Sequence, residues 1–223
     1  MPDTTGTTGK AQGKEEQPRR RQARGERRIA QLLEAAAAVF CTSGYTAAST
    51  NAIAREAGVS PGTLYQFFPN KEAIAIELSD RLLHEMRETY SEALAPIAPG
   101  TPVEEAVAAA VDRFTAFNRR HPVLFALMHS PEIPGRMAQD HDALHAAMLV
   151  RIEELLSSLL APGTPPAAVA RTAHMVLGFY KAGLELVLAH EGAEQEAYVQ
   201  ELKDALTRYL DPLVTSCGQP AHS

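Results

Sequence analysis

Apolar residues recur at helical spacing along most of the chain. The first stripe runs from Ile29 to Phe40, with apolar side chains three and four residues apart. Two stripes near the end of the chain have the same spacing and contain Ala173, Val176, Leu177, Tyr180, Leu184, Val187 and Leu188, and then Tyr198, Leu202, Ala205, Leu206, Tyr209 and Leu213. No segment alternates between apolar and polar residues for long enough to indicate a strand. The pattern predicts an all-α fold of about nine helices.

Residues 47–74 are predicted to contain two short helices and a tight turn. Ser49 and Thr50 are typical N-cap residues ahead of the first helix, and Gly58 ends that helix. Ser60 can cap the second helix with Pro61 in its first position, where a missing N–H costs no hydrogen bond. Two short helices joined by a tight, glycine-containing turn are typical of a helix-turn-helix.

The helix that follows this motif is long. Asn70 can cap it, and it is predicted to run from Lys71 to about Leu94. Pro-rich or Gly-containing breaks then separate the remaining helices, at 96–102, 121–122, 131–134, 162–166 and 191–192.

Charge is distributed unevenly along the chain. Residues 1–70 hold nine Lys and Arg against six Asp and Glu, although the whole chain has a net charge of −6. A basic N-terminal part on an acidic body indicates a polyanionic partner at one end.

Residues 1–25 have little to bury and are expected to be disordered. They include four arginines that would precede the first helix, Arg19, Arg20, Arg21 and Arg24. These arginines could follow a phosphate backbone or enter a minor groove, or they could only solvate the tail. The charge pattern leaves both interpretations open.

The second short helix offers small and polar groups on its outer side. Pro61 and Gly62 keep its N-terminal end thin, so that backbone could approach a DNA groove. Thr63 could bond a phosphate or contact a thymine methyl group, and the hydroxyl of Tyr65 could bond a phosphate. Lys71 begins the next helix, where its charge and the free N–H groups could share one phosphate.

At these residues the sequence resembles the TetR family of transcriptional regulators. The match runs from Gly44 to Ile74 and includes Gly44, Tyr45, Ile53, Ala54, Ala57, Gly58, Val59, Ser60, Gly62, Leu64, Tyr65, Phe68, Lys71 and Glu72. The resemblance implies DNA contacts from Thr50, Asn51, Ser60, Pro61, Gly62, Thr63, Tyr65, Phe67 and Lys71. Two positions depart from the family pattern, because Phe67 stands where His is frequent and Asn51 where a basic residue is common.

The resemblance also implies a helical body that dimerises and encloses an effector pocket. We therefore divide the chain into a basic arm (1–25), a helix-turn-helix domain (26–72), an effector-binding and dimerisation domain (73–215) and a flexible tail (216–223). The last two helices would form a four-helix dimer interface, although their stripes could instead face the core of the monomer. The expected pocket lining is aromatic and methionine side chains, namely Phe114, Phe117, Phe125, Met128, Met148, Met175 and Phe179.

Other classes of protein find little support in the sequence. Two cysteines cannot form a disulfide framework, the N-terminus lacks an apolar signal stretch, and Lys181 and Glu185 interrupt the most apolar later stretch. We expect a cytoplasmic protein without a membrane span. His141 and His145 are four residues apart, but the Glu of a zinc-hydrolase motif is missing. We expect no metal, no cofactor and no catalytic constellation.

The sequence thus predicts a ligand-responsive regulator, a repressor that binds a palindromic operator in double-stranded DNA as a homodimer and is released by a small, largely apolar effector. The alternative is a helical protein that binds a small molecule or a metal and whose N-terminal helices are only structural.

Overall fold

The computed structural model describes residues 13–98, 100–128, 130, 132, 134–161 and 163–215. Within these ranges the chain forms nine α-helices and no strand, which confirms the predicted all-α fold. The helices are α1 (Gly13–Ala47), α2 (Thr50–Glu56), α3 (Pro61–Tyr65), α4 (Lys71–Ala93), α5 (Val103–Arg120), α6 (Pro122–Met128), α7 (Gly135–Leu159), α8 (Pro166–Leu188) and α9 (Gly192–Thr215). The chain divides into two compact units between Glu77 and Leu78, within α4.

The N-terminal unit is built around the apolar stripe of α1. Leu32 and Phe40 of this stripe are fully buried, as are Ile53 of α2 and Leu64 of α3. Burying each of these side chains stabilises the fold by about 1.5–3 kcal/mol. The stripe therefore holds the two short helices in place, α2 against α1 and α3 against α2.

Gly44 interrupts α1 shortly after the apolar stripe that ends at Phe40. Its backbone has φ 73° and ψ 161°, a conformation that side-chain-bearing residues rarely adopt, and helical geometry then resumes as far as Ala47. A Cβ atom at Gly44 would meet nothing within 4 Å, so backbone conformation rather than space calls for glycine here.

The structure differs from the sequence-based expectation for the basic arm. Disorder was expected over residues 1–25, but α1 already begins at Gly13. This segment carries Glu, Gln and Arg, which are good helix formers, and extending an existing helix costs far less than starting one. The lack of residues to bury does not predict disorder here, because the segment continues a helix whose later residues are buried in the core. Residues 1–12, and the predicted tail at 216–223, lie outside the described residues.

The C-terminal unit comprises the rest of α4 and helices α5 to α9. The main packing is of α5 and α8 on α9 and of α7 on α8. Phe117 and Val187 are fully buried at its core. Prolines begin the helices as the predicted breaks require, since α6 starts at Pro122 and α8 at Pro166. None of the described helices is long and apolar enough to cross a membrane.

Candidate DNA-binding surface and effector cavities

Side-chain caps fix the starts of the helices in the N-terminal unit. The Ser49 hydroxyl accepts a hydrogen bond from the backbone N–H of Ala52 at 3.1 Å, and the Ser60 hydroxyl accepts one from the N–H of Thr63 at 3.1 Å. Asn70 caps α4 in the same way. Each cap satisfies a backbone N–H that has no partner within its own helix. The three predicted caps are therefore present.

Two hydroxyl pairs connect predicted DNA-facing residues to one another. Thr50 Oγ1 lies 2.9 Å from Tyr65 Oη, which joins the first residue of α2 to the last of α3. Ser60 Oγ lies 2.9 Å from Thr63 Oγ1. Tyr65 is 52% exposed, unusually open for so large a side chain. The pairs bring polar groups from both short helices onto one surface.

The remaining predicted contacts also reach solvent, to different degrees. Asn51, Pro61 and Gly62 are exposed, whereas Phe67 is half-buried. A Cβ atom at Gly62 would meet only Ser60 Oγ, at 3.8 Å. Packing within the chain therefore does not require glycine at this position, and a close approach of an outside molecule would make use of it.

Lys71 makes contacts within the chain that the sequence did not reveal. Its Nζ donates hydrogen bonds to the carbonyl oxygens of Tyr45 at 2.7 Å and Thr46 at 3.1 Å, and it lies 4.5 Å from the centre of the Tyr45 ring. An ammonium group has three donors, so one remains for an outside acceptor. Lys71 thus ties the end of α1 to the start of α4.

Two cavities that share lining residues lie in the C-terminal unit, and the larger of these two is almost entirely apolar. It has a volume of about 310 Å³ and lies among α4, α5, α7, α8 and α9. Phe114 and Met148, both predicted from the sequence, contribute to its wall. Charged groups such as Glu92 and Arg113 lie on exposed positions of its lining. The composition suits a largely apolar ligand.

A smaller cavity of about 110 Å³ has a more polar lining. Phe125, Met128 and Met148 of the predicted set line it. Its other polar and charged lining residues were not predicted from the sequence, namely Tyr90, Asn118, His141, His145, Tyr180, Lys181 and Glu185. These residues come from four helices, and only the spacing of the two histidines was visible in the sequence.

A buried polar cluster lies beside this smaller cavity. Asn118 Nδ2 donates to Tyr180 Oη at 3.3 Å and to the carbonyl of Phe114 at 2.9 Å. Burial raises the pKa of both Tyr90 and Tyr180, so both hydroxyls stay neutral. The cluster supplies neutral hydrogen-bonding groups within otherwise apolar surroundings.

The pKa of His145, on the wall of the smaller cavity, is strongly lowered. Burial, followed by the charges of His141 and Lys181, lowers the pKa of His145 to about 4, against a small opposing effect of Asp142. The rings of His141 and His145 are 4.0 Å apart in an edge-to-face arrangement. His145 is therefore neutral near pH 7. Among the residues that the structure describes, no three His, Cys, Asp or Glu residues are grouped so as to hold a metal ion.

Three predicted lining residues line neither cavity. Phe117 is fully buried in the core, with its ring centre 4.8 Å from that of His121. Met175 is 45% exposed, and Phe179 lies edge-to-face against Tyr209. Composition identified apolar side chains, but whether such a side chain faces the core or a cavity depends on its angular position around the helix axis. The expectation for these three residues is corrected accordingly.

A short exposed helix held in a helix-turn-helix, followed by a helical unit with an apolar cavity, defines the class of helix-turn-helix regulators with a helical body. Residues 32–78 match the family model described as bacterial regulatory proteins, tetR family. Residues 101–214 match the model described as Tetracyclin repressor-like, C-terminal domain. The chain belongs to the TetR family.

Individual relatives agree with this assignment. An uncharacterised helix-turn-helix transcriptional regulator of Bacillus subtilis, YhgD, is 34% identical over 107 residues. The match covers 48% of this chain and 54% of that protein, so the chain spans about half the length of this relative. The transcriptional regulator UidR of Escherichia coli is 27% identical over 180 residues, covering 77% and 87% of the two chains. The structure of FadR from Bacillus subtilis in complex with stearoyl-CoA has the same fold, with a TM-score of 0.59 at 21% identity, covering 79% of this chain and 96% of that one.

Proposed function

We propose that the protein is a ligand-responsive repressor that binds a palindromic operator as a homodimer and is released by a small, largely apolar effector. The surface formed by α2 and α3 carries this proposal. It presents the exposed ring of Tyr65, bonded to Thr50, beside the thin N-terminal end of α3 at Pro61 and Gly62. Such a helix end enters a major groove, while neighbouring hydroxyls bond phosphates.

The proposed contacts divide into two kinds. Ser60, Pro61, Gly62 and Thr63 lie at the start of α3 and would meet base edges or the groove floor. Thr50, Asn51, Tyr65, Phe67 and Lys71 would contact the phosphate backbone or pack beside it. The third donor of Lys71 is the one that would reach a phosphate.

The homodimer in this proposal forms through α8 and α9. Met175 and Leu186 of α8 are 45% and 48% exposed, and Leu213 of α9 is 38% exposed. Gly178 and Ala182 also lie on the exposed side of α8, where small side chains allow another helix to approach closely. One short recognition helix seldom gives adequate affinity, so pairing two of them is part of the proposed function.

The effector in this proposal occupies the cavity lined by Phe114 and Met148. Its volume of about 310 Å³ falls within the range of small-molecule sites, and its lining selects apolar ligands. FadR of Bacillus subtilis, crystallised with stearoyl-CoA, is a precedent for an acyl ligand in this fold. The proposal contains no catalytic step and places the protein in the cytoplasm, where chromosomal DNA is found.

Fluorescence anisotropy with labelled DNA tests this function. The DNA upstream of the protein's own gene is compared with a shuffled fragment of equal length over a series of salt concentrations. The proposal expects preferential binding of the upstream fragment, with an affinity that falls as salt rises because bound phosphates release counterions. The contradicting result is weak and equal affinity for the two fragments, together with a failure to select any tightly bound sequence from random DNA. It would favour a ligand-binding protein whose N-terminal helices are only structural.

A further inference from the structure

Three basic side chains meet on one wall of the smaller cavity. We call His141 and His145 of α7 and Lys181 of α8 the basic pocket. The two histidines are one helical turn apart, which puts their rings on the same side of α7. Lys181 is close enough for its charge to act on His145. His141 already interacts within the chain, so Lys181 and His145 are the groups that an outside anion would contact.

Two acidic residues lie near the basic pocket, Asp142 and Glu185. Asp142 raises the pKa of His145, but burial, His141 and Lys181 together outweigh it and lower the pKa to about 4. Glu185 lines the same cavity and already interacts within the chain. The hydroxyls of Tyr90 and Tyr180, which line the same cavity, are neutral. An anion in the pocket would be attracted by Lys181 and, once His145 has taken up a proton, by His145 as well.

The basic pocket adjoins the larger apolar cavity. Met148, Leu177 and Tyr180 line both spaces, which have volumes of about 110 and 310 Å³. If the polar end of a ligand lay in the basic pocket, the first part of its apolar tail would contact these shared residues. The rest of the tail could then extend toward the larger cavity.

We propose that the basic pocket binds the carboxylate of an amphipathic effector whose apolar tail extends toward the larger cavity, and that His145 gains a proton when the carboxylate binds. This inference rests on the proposed function, since it names the chemical class of the effector. Lys181 supplies a permanent positive charge, and protonated His145 donates a charge-assisted hydrogen bond to the carboxylate.

The sign of the proton linkage follows from the free state. His145 is neutral in the free protein above about pH 4. A bound carboxylate stabilises the charged form and raises the pKa of His145. Between the two pKa values, binding takes up a proton, so affinity increases as the pH falls through the pKa of the bound state.

Isothermal titration calorimetry of the full chain without DNA tests the inference, with decanoate as the probe and decanol as its neutral counterpart. Decanoate is expected to bind about tenfold more tightly, a difference of about 1.4 kcal/mol. Its affinity is expected to be higher near pH 6 than near pH 8. The measured heat should differ between phosphate and Tris buffers, because proton uptake draws on buffer ionisation.

Three variants assign the effect to residues. Lys181→Gln should weaken decanoate binding by about tenfold and leave decanol unchanged. His145→Gln should remove the buffer-dependent heat and most of the pH dependence. Arg171→Gln is the matched control, because Arg171 is an exposed cation of α8 that lines neither cavity. Thermal melting checks that His145→Gln folds. If it does not fold, Lys181→Gln still tests the inference, because Lys181 is exposed and its substitution should not unfold the protein.

Equal affinities for decanoate and decanol, or wild-type decanoate affinity in Lys181→Gln, would overturn the basic pocket as a carboxylate site. Failure of the proposed function gives a different result. If decanoate binds as expected but leaves DNA affinity unchanged, the carboxylate site stands and decanoate is not an effector. If another compound releases DNA while decanoate does not bind, the regulator stands and the inference fails.

Discussion

Tyr65 and Lys71 are both proposed to contact phosphate, but they differ in the contacts that they make within the chain. The Tyr65 ring is 52% exposed, and its hydroxyl has a single partner in Thr50 among the described contacts. The Lys71 ammonium already holds two backbone carbonyls and lies over the ring of Tyr45. Substituting Tyr65 should therefore affect binding alone, whereas substituting Lys71 should affect binding and folding together.

Two substitutions of Tyr65 distinguish the contribution of its hydroxyl to DNA binding from that of its ring. Tyr65→Phe removes one phosphate hydrogen bond, worth about 0.5–1.5 kcal/mol, and should weaken operator binding by about three- to tenfold. Tyr65→Ala should weaken it further. Because the side chain is exposed, the free energy of unfolding should change by less than about 1 kcal/mol in either variant. Anisotropy and urea denaturation measure the two quantities, and operator affinity at the wild-type level in Tyr65→Ala would remove Tyr65 from the DNA-binding surface.

Replacing Lys71 should cost stability as well. Lys71→Ala leaves the carbonyls of Tyr45 and Thr46 without their charged donor, so the free energy of unfolding should fall by about 1–3 kcal/mol. Lys71→Arg, which keeps the charge and the donors, is the matched control and should lose less. Urea denaturation measures the difference. Unchanged stability in Lys71→Ala together with weaker DNA binding would mean that Lys71 serves only as a phosphate contact.

His145 should make the stability of the free protein depend on pH. Its pKa is about 4 in the folded state against 6.5 as the ordinary value, so the unfolded chain binds a proton that the folded chain does not. This effect is absent above pH 6.5 and destabilises the fold progressively as the pH falls toward 4. His145→Gln should therefore show a shallower loss of stability over this range than wild type. His84→Gln, at a side chain 75% exposed, is the control, and identical pH profiles for His145→Gln and wild type would contradict the account.

At the scale of helices, sequence signals between near neighbours predicted the helix starts, whereas the cavity lining depends on contacts between distant segments. Caps at Ser49, Ser60 and Asn70 depend on neighbours within three residues and are present as expected. The cavity lining depends on how helices rotate against one another, which periodicity does not specify. Met148 lies in the wall of the larger cavity, while Phe117 faces the core, and periodicity does not distinguish the two positions.

The packing of α8 on α9 requires glycine at one position and not at another. A Cβ atom at Gly183 would lie 2.5 Å from Leu202 Cδ1, whereas one at Gly178 would meet nothing within 4 Å. Because Leu202 is itself buried, Gly183→Ala should lower the free energy of unfolding by about 1–3 kcal/mol. Gly25→Ala, at a glycine of α1 where a Cβ atom would also meet nothing within 4 Å, is the matched control and should raise it by up to about 1 kcal/mol, since alanine favours helix. Equal effects of the two substitutions in urea denaturation would contradict this close packing of α8 on α9.

For the whole molecule, the proposed function requires an energetic connection between the cavity and the DNA-binding surface. In a dimer, the two recognition helices must be spaced about 34–36 Å apart to enter successive major grooves. An effector releases DNA only if it binds the DNA-free arrangement more tightly than the DNA-bound one. DNA must then weaken effector binding by the same factor.

A closed thermodynamic cycle tests this central claim most directly. A compound that raises the melting temperature of the free protein is first identified, and calorimetry then gives its affinity with and without saturating operator. Anisotropy gives the operator affinity with and without saturating compound. The account predicts that operator weakens compound binding about 5- to 150-fold and that the compound weakens operator binding by the same factor. Equal affinities in the presence and absence of operator, for every compound that binds the cavity, would contradict it.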